Sequence, residues 1–236
     1  LEDVASGVRR RGRKAVAITA DVAVREEVDE VCRRALDELG GVDILVNNAG
    51  GPLFHAPVLD VRDEGWQRVI DLNLTSPFRF SQRIGRWMVA HRRGSVINIT
   101  APSGKAWPAI AAYTAAKAGL TSLTQTLAAE WAHAGVRVNA LAPGWVKTAI
   151  NGAYVADEQL AVLAVSAVPL RRWAEPEEMV GAAVWLASDA ARYVTGAVIP
   201  VDGGFATGIA HDWLAGMDRS ERRVNGGGKR VAGPER

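Results

Sequence analysis

Tyr113 and Lys117 stand four residues apart in Tyr113-Thr114-Ala115-Ala116-Lys117, inside a stretch that reads as helix. At that spacing two side chains share one helical face, one turn apart. A phenol ionises near pH ~10, and an ammonium beside it favours the phenolate and lowers that value. A tyrosine so tuned exchanges a proton with an alcohol or carbonyl oxygen near neutrality. Many helices carry such a pair by chance as a surface contact, so its weight comes from its company. In Val42-Asp43-Ile44-Leu45-Val46-Asn47-Asn48-Ala49-Gly50 a strand runs out into amides and small residues, where a ligand meets backbone at Ala49 and Gly50. Asp21-Val22, Pro143-Gly144-Trp145-Val146-Lys147-Thr148 and Asp202-Gly203-Gly204 each follow another apolar run. Carboxyl ends of parallel strands are where α/β sheets bind ligands, and several such ends suggest one shared crevice.

The elements that must hold these residues alternate along the chain. Apolar runs at Ala15–Ile18, Val42–Val46, Ser95–Ile99, Val136–Leu141 and Ala197–Val201 read as strands buried on both faces. Between them, Val24–Leu39 has apolar residues at 24, 28, 31, 35 and 39 and is stopped by Gly40-Gly41. Glu64–His91 and Ala112–His133 read as longer helices, and Glu177–Ser188 follows Pro176, which suits a first turn. Strands alternating with helices predict an α/β fold with a doubly wound parallel sheet.

Composition narrows the function classes. The 236 residues carry 28 Lys+Arg against 26 Asp+Glu, a formal charge of +2, which supplies no dominating footprint for nucleic acid or a membrane surface. One cysteine, Cys32, excludes an internal disulfide scaffold. No apolar run reaches the ~18 residues of a membrane span, and the start Leu-Glu-Asp is unlike a secretory signal; a cytoplasmic setting is the expectation. No metal cluster is expected. The basic run Arg9–Lys14 reads as a solvated helix end. Asn225-Gly226-Gly227-Gly228-Lys229 fails the P-loop pattern, lacking both a preceding strand and a following Ser or Thr. The domain is expected over residues 1–205, with 206–236 a partly flexible tail.

Taken together, Asp21-Val22, Asn47-Asn48-Ala49-Gly50, Asn73 within Asp71-Leu72-Asn73-Leu74, Tyr113 with Lys117, Pro143-Gly144 with Thr148, and Asp202-Gly203-Gly204 resemble the short-chain dehydrogenase/reductase family, in its order and at its spacings. The resemblance covers about residues 1–205. It implies a Rossmann-type sheet, NAD or NADP as cofactor, and hydride transfer between the nicotinamide and a carbonyl or secondary alcohol. By the same resemblance Tyr113 is the general acid/base and Lys117 lowers its pKa and holds the nicotinamide ribose. Asn73 places a water in the proton relay; a buried amide bonding backbone in mid-helix is its bland alternative. Asp21 and Val22 sit at the adenine, Asn48, Ala49 and Gly50 line the cofactor, and Pro143, Gly144, Val146 and Thr148 hold the nicotinamide side. Asp202-Gly203-Gly204 reads as a tight structural turn. The helices at Trp66–Met88 and Ala112–Trp131 imply a homodimer or homotetramer.

Two departures from the family pattern stand out. Its substrate-steadying Ser lies about thirteen residues before the Tyr, which is Thr100 here; anchoring on Gly104 gives Ala101 instead, with Ser103 just beyond. Thr100, Ser103 and no hydroxyl at all remain alternatives. Second, no Gly-x-x-x-Gly-x-Gly turn precedes Asp21. The expected fold is therefore the family sheet lacking its first two strands, a chain truncated at its front. Those strands would separate Ala15–Ile18 from Val42–Val46 by three strand spacings, about 14 Å, so the sheet keeps a slot or the first run repacks. The segment that distinguishes NAD from NADP is absent with them. Weak dinucleotide binding by the isolated chain is expected. The competing function class is an inactive fragment or pseudo-enzyme; within the enzyme class the alternatives are a 3-oxoacyl-[acyl-carrier-protein] reductase and a catabolic alcohol, sugar or steroid dehydrogenase. The apolar region from Trp145 to Trp173, with Ile150 and Tyr154, is where substrate cover is expected.

Overall fold

In the computed structural model, residues 1–102 and 108–207 are described. Helices α1 (Glu2–Arg10) and α2 (Arg25–Leu39) precede β1 (Ile44–Asn47). Helices α3 (Asp63–Ile70) and α4 (Ser76–His91) lead to β2 (Gly94–Ile99), and α5 (Ala111–Trp131) leads to β3 (Val136–Pro143). The short α6 (Gly152–Ala156), α7 (Glu158–Ser166) and α8 (Val180–Ala187) precede β4 (Val198–Val201). The four strands lie in the order β1-β2-β3-β4, and every pair is parallel.

Alternation along the strands builds two cores. Val96 and Val138 point to one face, where Val28 and Cys32 of α2, Ile84 and Met88 of α4 and Leu127 of α5 bury them. Ile97 and Leu141 point to the other face and meet Leu186 of α8. Burying each large aliphatic side chain contributes roughly 1.5–3 kcal/mol. This is the doubly wound α/β arrangement that the alternating pattern predicts.

Two expectations need correction at the amino-terminal side. Ala15–Ile18 is not a strand: the run is half-buried and outside the sheet. A strand needs a neighbour for its backbone groups, and among the described residues β2 is the sole partner of β1. The first run repacks, with the Ala15 carbonyl accepting from Arg9 at 3.1 Å. Nor is β1 buried on both faces. Leu45 packs on the core, whereas Ile44 and Val46 are each 48% exposed on the opposite face. The basic run is solvated, as expected: Arg9 pairs with Glu2 at 2.5 Å, and Lys14 donates to the Glu38 carbonyl.

The predicted long helix over 64–91 is interrupted. Between α3 and α4, Asp71–Thr75 forms a π-helical turn, a local i→i+5 widening that often marks a functional site. Within this turn Asn73 is fully buried and its Nδ2 donates to the Val69 carbonyl four residues back, at 2.9 Å. After β3 the chain makes a loop with a closed neck. Lys147 N donates to the Ala174 carbonyl at 3.0 Å, Ala174 N donates to the Trp145 carbonyl at 2.9 Å, and Lys147 pairs with Glu175 at 2.5 Å. Helices α6 and α7 lie between the two sides of that neck.

The Asp202 turn is structural, as the sequence implies. Its carboxylate accepts from Gly204 N at 2.9 Å and Ala206 N at 2.7 Å. Gly144 lets this turn approach: a Cβ there would lie 2.7 Å from the Asp202 Cα.

Candidate active site

The carboxyl ends of β1, β2 and β3 and the first turns of α5 enclose a cavity of about 690 Å³. Tyr113 and Lys117 enter it from α5, Thr100 and Ala101 from the end of β2, Asn48 and Gly50 from beyond β1, and Pro143, Gly144, Val146 and Thr148 from beyond β3. The predicted crevice thus gathers most of the predicted residues. Ala49 is exposed beside them. Asp21 is not brought in: it lines a separate shallow cleft with Asp63, Glu64, Arg68 and Asp71. There it lies 3.5 Å from Arg68 and accepts from Ala23 N at 3.0 Å. Val22 packs against the core beneath.

Lys117 is 5% exposed and its Nζ donates to the Ile99 carbonyl at 2.7 Å. The same ammonium lies 5.6 Å from the centre of the Tyr113 ring. Burial disfavours a charged ammonium and brings Lys117 down to about 8. Burial also raises the Tyr113 phenol above its ordinary value. Desolvation thus governs both groups in this arrangement, and it acts on the phenol against the lowering expected from a neighbouring ammonium.

Asn73 joins this pair through a close approach at Gly50. A Cβ at Gly50 would lie 2.7 Å from Asn73 Oδ1 and 3.1 Å from Lys117 Nζ. Only glycine fits there, so one point of backbone is wedged between the amide and the ammonium. Asn73 Oδ1 accepts from Gly51 N and its Nδ2 donates to the Gly51 carbonyl, both at 2.9 Å. The amide therefore pins the Gly50-Gly51 backbone to the π-helical turn. Thr100 lines the cavity but is 3% exposed, and its hydroxyl donates to the Leu141 carbonyl at 3.4 Å. The alternative Ser103, and Gly104, the anchor that puts Ala101 in the slot, lie outside the described residues.

Sequence reasoning missed two features. One is a buried polar chain: Asn47 Nδ2 donates to Asn98 Oδ1 at 2.7 Å and to Ser81 Oγ at 3.1 Å, and Asn98 Nδ2 donates to Thr124 Oγ1 at 2.9 Å. Asn98 and Thr124 are fully buried, so the chain ties β1 and β2 to α5, the helix that carries Tyr113 and Lys117. The signal was present as an amide inside an otherwise Val/Ile run. The other is His55, whose Nε2 lies 3.2 Å from the Tyr154 hydroxyl at the cavity wall. No local pattern joins residues 99 positions apart.

A dinucleotide's nicotinamide end suits what is present: a cavity at the strand ends, backbone exposed at Gly50, and the close Gly144–Asp202 approach. Its pyrophosphate finds no glycine-rich turn in residues 1–20, and the first turn of α1 is acidic, with Glu2 and Asp3. Among the described residues no helix is long and apolar enough to cross a membrane.

Comparison with known proteins agrees with this architecture. A family model described as enoyl-(acyl carrier protein) reductase matches residues 1–206. The 3β-hydroxysteroid dehydrogenase 1 of Eggerthella lenta is 42% identical over 199 residues, 84% of this chain and 76% of that protein. A 3-oxoacyl-[acyl-carrier-protein] reductase of Synechocystis is 40% identical over 203 residues, 85% of this chain and 80% of that protein. The crystal structure of a gluconate 5-dehydrogenase from Burkholderia cenocepacia in complex with NADP and tartrate superposes with a TM-score of 0.83 at 35% identity, covering 88% of this chain and 81% of that one. With matched sequence over most of its length and the parallel sheet those relatives share, the chain belongs to the short-chain dehydrogenase/reductase family, a family of NAD(P)-dependent oxidoreductases.

Proposed function

We propose that the cavity catalyses hydride transfer between NAD(P)(H) and a secondary alcohol or ketone, with Tyr113 as general acid/base. The observation that carries this reading is that Gly50 lies against both the Asn73 amide and the Lys117 ammonium, and that this ammonium lies 5.6 Å from the centre of the Tyr113 ring. The cofactor supplies or accepts the hydride. Tyr113 exchanges the proton of the substrate oxygen. Lys117, anchored on the Ile99 carbonyl, holds positive charge below that phenol and offers its remaining N–H groups to the cofactor ribose. Asn73 fixes the backbone on which the cofactor rests and connects the relay to the π-helical turn. Asn48, Gly50, Pro143, Gly144, Val146 and Thr148 form the nicotinamide side, Ala49 borders them, and Asp21 and Val22 lie toward the adenine. Thr100 steadies the substrate oxygen if its hydroxyl turns from the Leu141 carbonyl. Removing such a donor slows acyl-transfer enzymes ~10²–10³-fold.

A 3-oxoacyl thioester is a second reading, favoured by the 40% identity to the Synechocystis reductase. A homodimer or homotetramer is proposed as the working form. The half-exposed Trp66 and Phe78 of α3 and α4 suit such a contact, while Trp87 and Trp131 pack against the chain's own core. The test is the oxidation of NADPH and NADH with a panel of ketones and an acetoacetyl thioester. Tyr113→Phe is expected to abolish turnover and leave cofactor affinity nearly unchanged; full activity in that variant removes Tyr113 from the mechanism.

A further inference from the structure

Part of the cavity wall is apolar and aromatic. Trp145 lines it, 5.6 Å from the Tyr154 ring and 5.2 Å edge-on from Trp173. Ile110, Ile150, Met179 and Phe205 complete the surface. Interlocked rings of this kind form a rigid wall suited to flat or cyclic hydrocarbon.

Several polar side chains that line the cavity already spend a hydrogen on backbone carbonyls. Lys117 Nζ donates to the Ile99 carbonyl at 2.7 Å, and Asn151 Nδ2 to the Val146 carbonyl at 2.8 Å. The hydroxyls of Thr114 and Thr121 donate to Ile110 and Lys117 carbonyls one helical turn back, at 3.2 and 3.1 Å. Thr100 does the same toward Leu141. Among the described residues the only lining group with a fixed positive charge is Lys117, and it belongs to the polar cluster. Against the wall of Trp145, Ile150, Met179 and Phe205 a carboxylate or a polyol loses water and meets carbon, and an unpaired buried polar group is costly. A neutral ring loses only water that the apolar wall holds weakly.

We propose that the substrate is a neutral, predominantly apolar cyclic secondary alcohol or ketone, in preference to a sugar acid or an open-chain polyol. The proposal rests on the reading that the reacting oxygen meets Tyr113 in this cavity, and it adds the chemistry of the rest of the substrate. The His55–Tyr154 contact sets a side-chain polar pair into that wall.

Calorimetric titration of the full chain, with decahydronaphthalen-2-one and separately with D-gluconate, tests this without requiring turnover. The bicyclic ketone is expected to bind at least about tenfold more tightly, a difference of roughly 1.4 kcal/mol. Trp145→Ala should abolish that preference, and Trp145→Phe should retain most of it, which separates loss of the wall from loss of the fold. Equal or tighter binding of gluconate overturns the proposal, as does binding of neither compound at millimolar concentration. NADPH oxidation with the ketone and NADP+ reduction with gluconate form a separate arm. Selective binding of the ketone with no hydride transfer under saturating cofactor defeats the hydride-transfer reading and leaves the binding preference standing. Turnover of gluconate alone upholds that reading and defeats the preference.

Discussion

Replacing Lys117 by methionine should make the folded chain more stable at neutral pH while removing its activity. The ammonium is 5% exposed, and among the described residues no ion pair gives it a carboxylate partner. Burial lowers it from 10.5 to about 8, which at ~1.4 kcal/mol per pH unit is about 3 kcal/mol against the charged form. Methionine removes that cost, fills nearly the same volume, and loses the 2.7 Å bond to the Ile99 carbonyl, a loss of about 1–2 kcal/mol. The net gain is about 1–2 kcal/mol, or roughly 3–6 °C in melting temperature for a chain of this size. The pH dependence supplies the sharper check. The folded protein gives up the Lys117 proton near pH 8 and the unfolded chain holds it until 10.5, so the unfolded state binds more protons between those limits. Wild-type stability therefore rises with pH across that window relative to the variant. Urea unfolding followed by tryptophan fluorescence at pH 7, 8, 9 and 10 measures both. A variant less stable than wild type at pH 7, or a gap unchanged between pH 7 and 10, refutes the reasoning.

Other outcomes follow from the same geometry. NADPH and NADH titrated into the 236-residue chain are expected to bind more weakly than micromolar, since residues 1–20 offer no turn for the pyrophosphate; micromolar affinity by fluorescence would refute this. Asn98→Leu removes one partner each from the Asn47 amide, which keeps Ser81, and from the Thr124 hydroxyl, which keeps the Leu120 carbonyl, with an expected loss of about 1–3 kcal/mol in urea unfolding. Tyr154→Phe removes the 3.2 Å contact with His55 at the wall, away from the proton-transfer cluster. Steady-state kinetics should show KM changing several-fold while kcat stays within about twofold; a loss confined to kcat would place Tyr154 in the chemical step.

The order of elements and the crevice were legible because they rest on local signals. Continuous Val/Ile runs mark β2 and β3 and a 3.6-residue period marks α2, and Gly40 ends α2 in the left-handed conformation that its position predicts. The Tyr113–Lys117 spacing needs only helical geometry. What escaped depends on neighbours. Ala15–Ile18 has a strand's composition but no partner to pair with. Ile44 and Val46 read as core and emerge half-exposed because no helix covers their face. The π-helical turn at Asp71–Thr75 is invisible to periodicity, which sees one continuous helix. The Tyr113 phenol shifts upward because burial, a property of the whole fold, outweighs the local ammonium.

The neck formed by Val146 and Ala174 has a consequence for how such a protein can change. The segment from 147 to 173 leaves the body and returns at adjacent backbone positions, joined by hydrogen bonds and the Lys147–Glu175 pair. It can therefore be exchanged as a cassette: with Thr148 and the Leu170–Gly203 bond kept, a segment of another length or composition grafted between the same two points alters the walls around the substrate and leaves Tyr113 and Lys117 in place. Selectivity and chemistry are thereby inherited on separate stretches of chain, so new substrates are reachable without risking the Tyr113 helix.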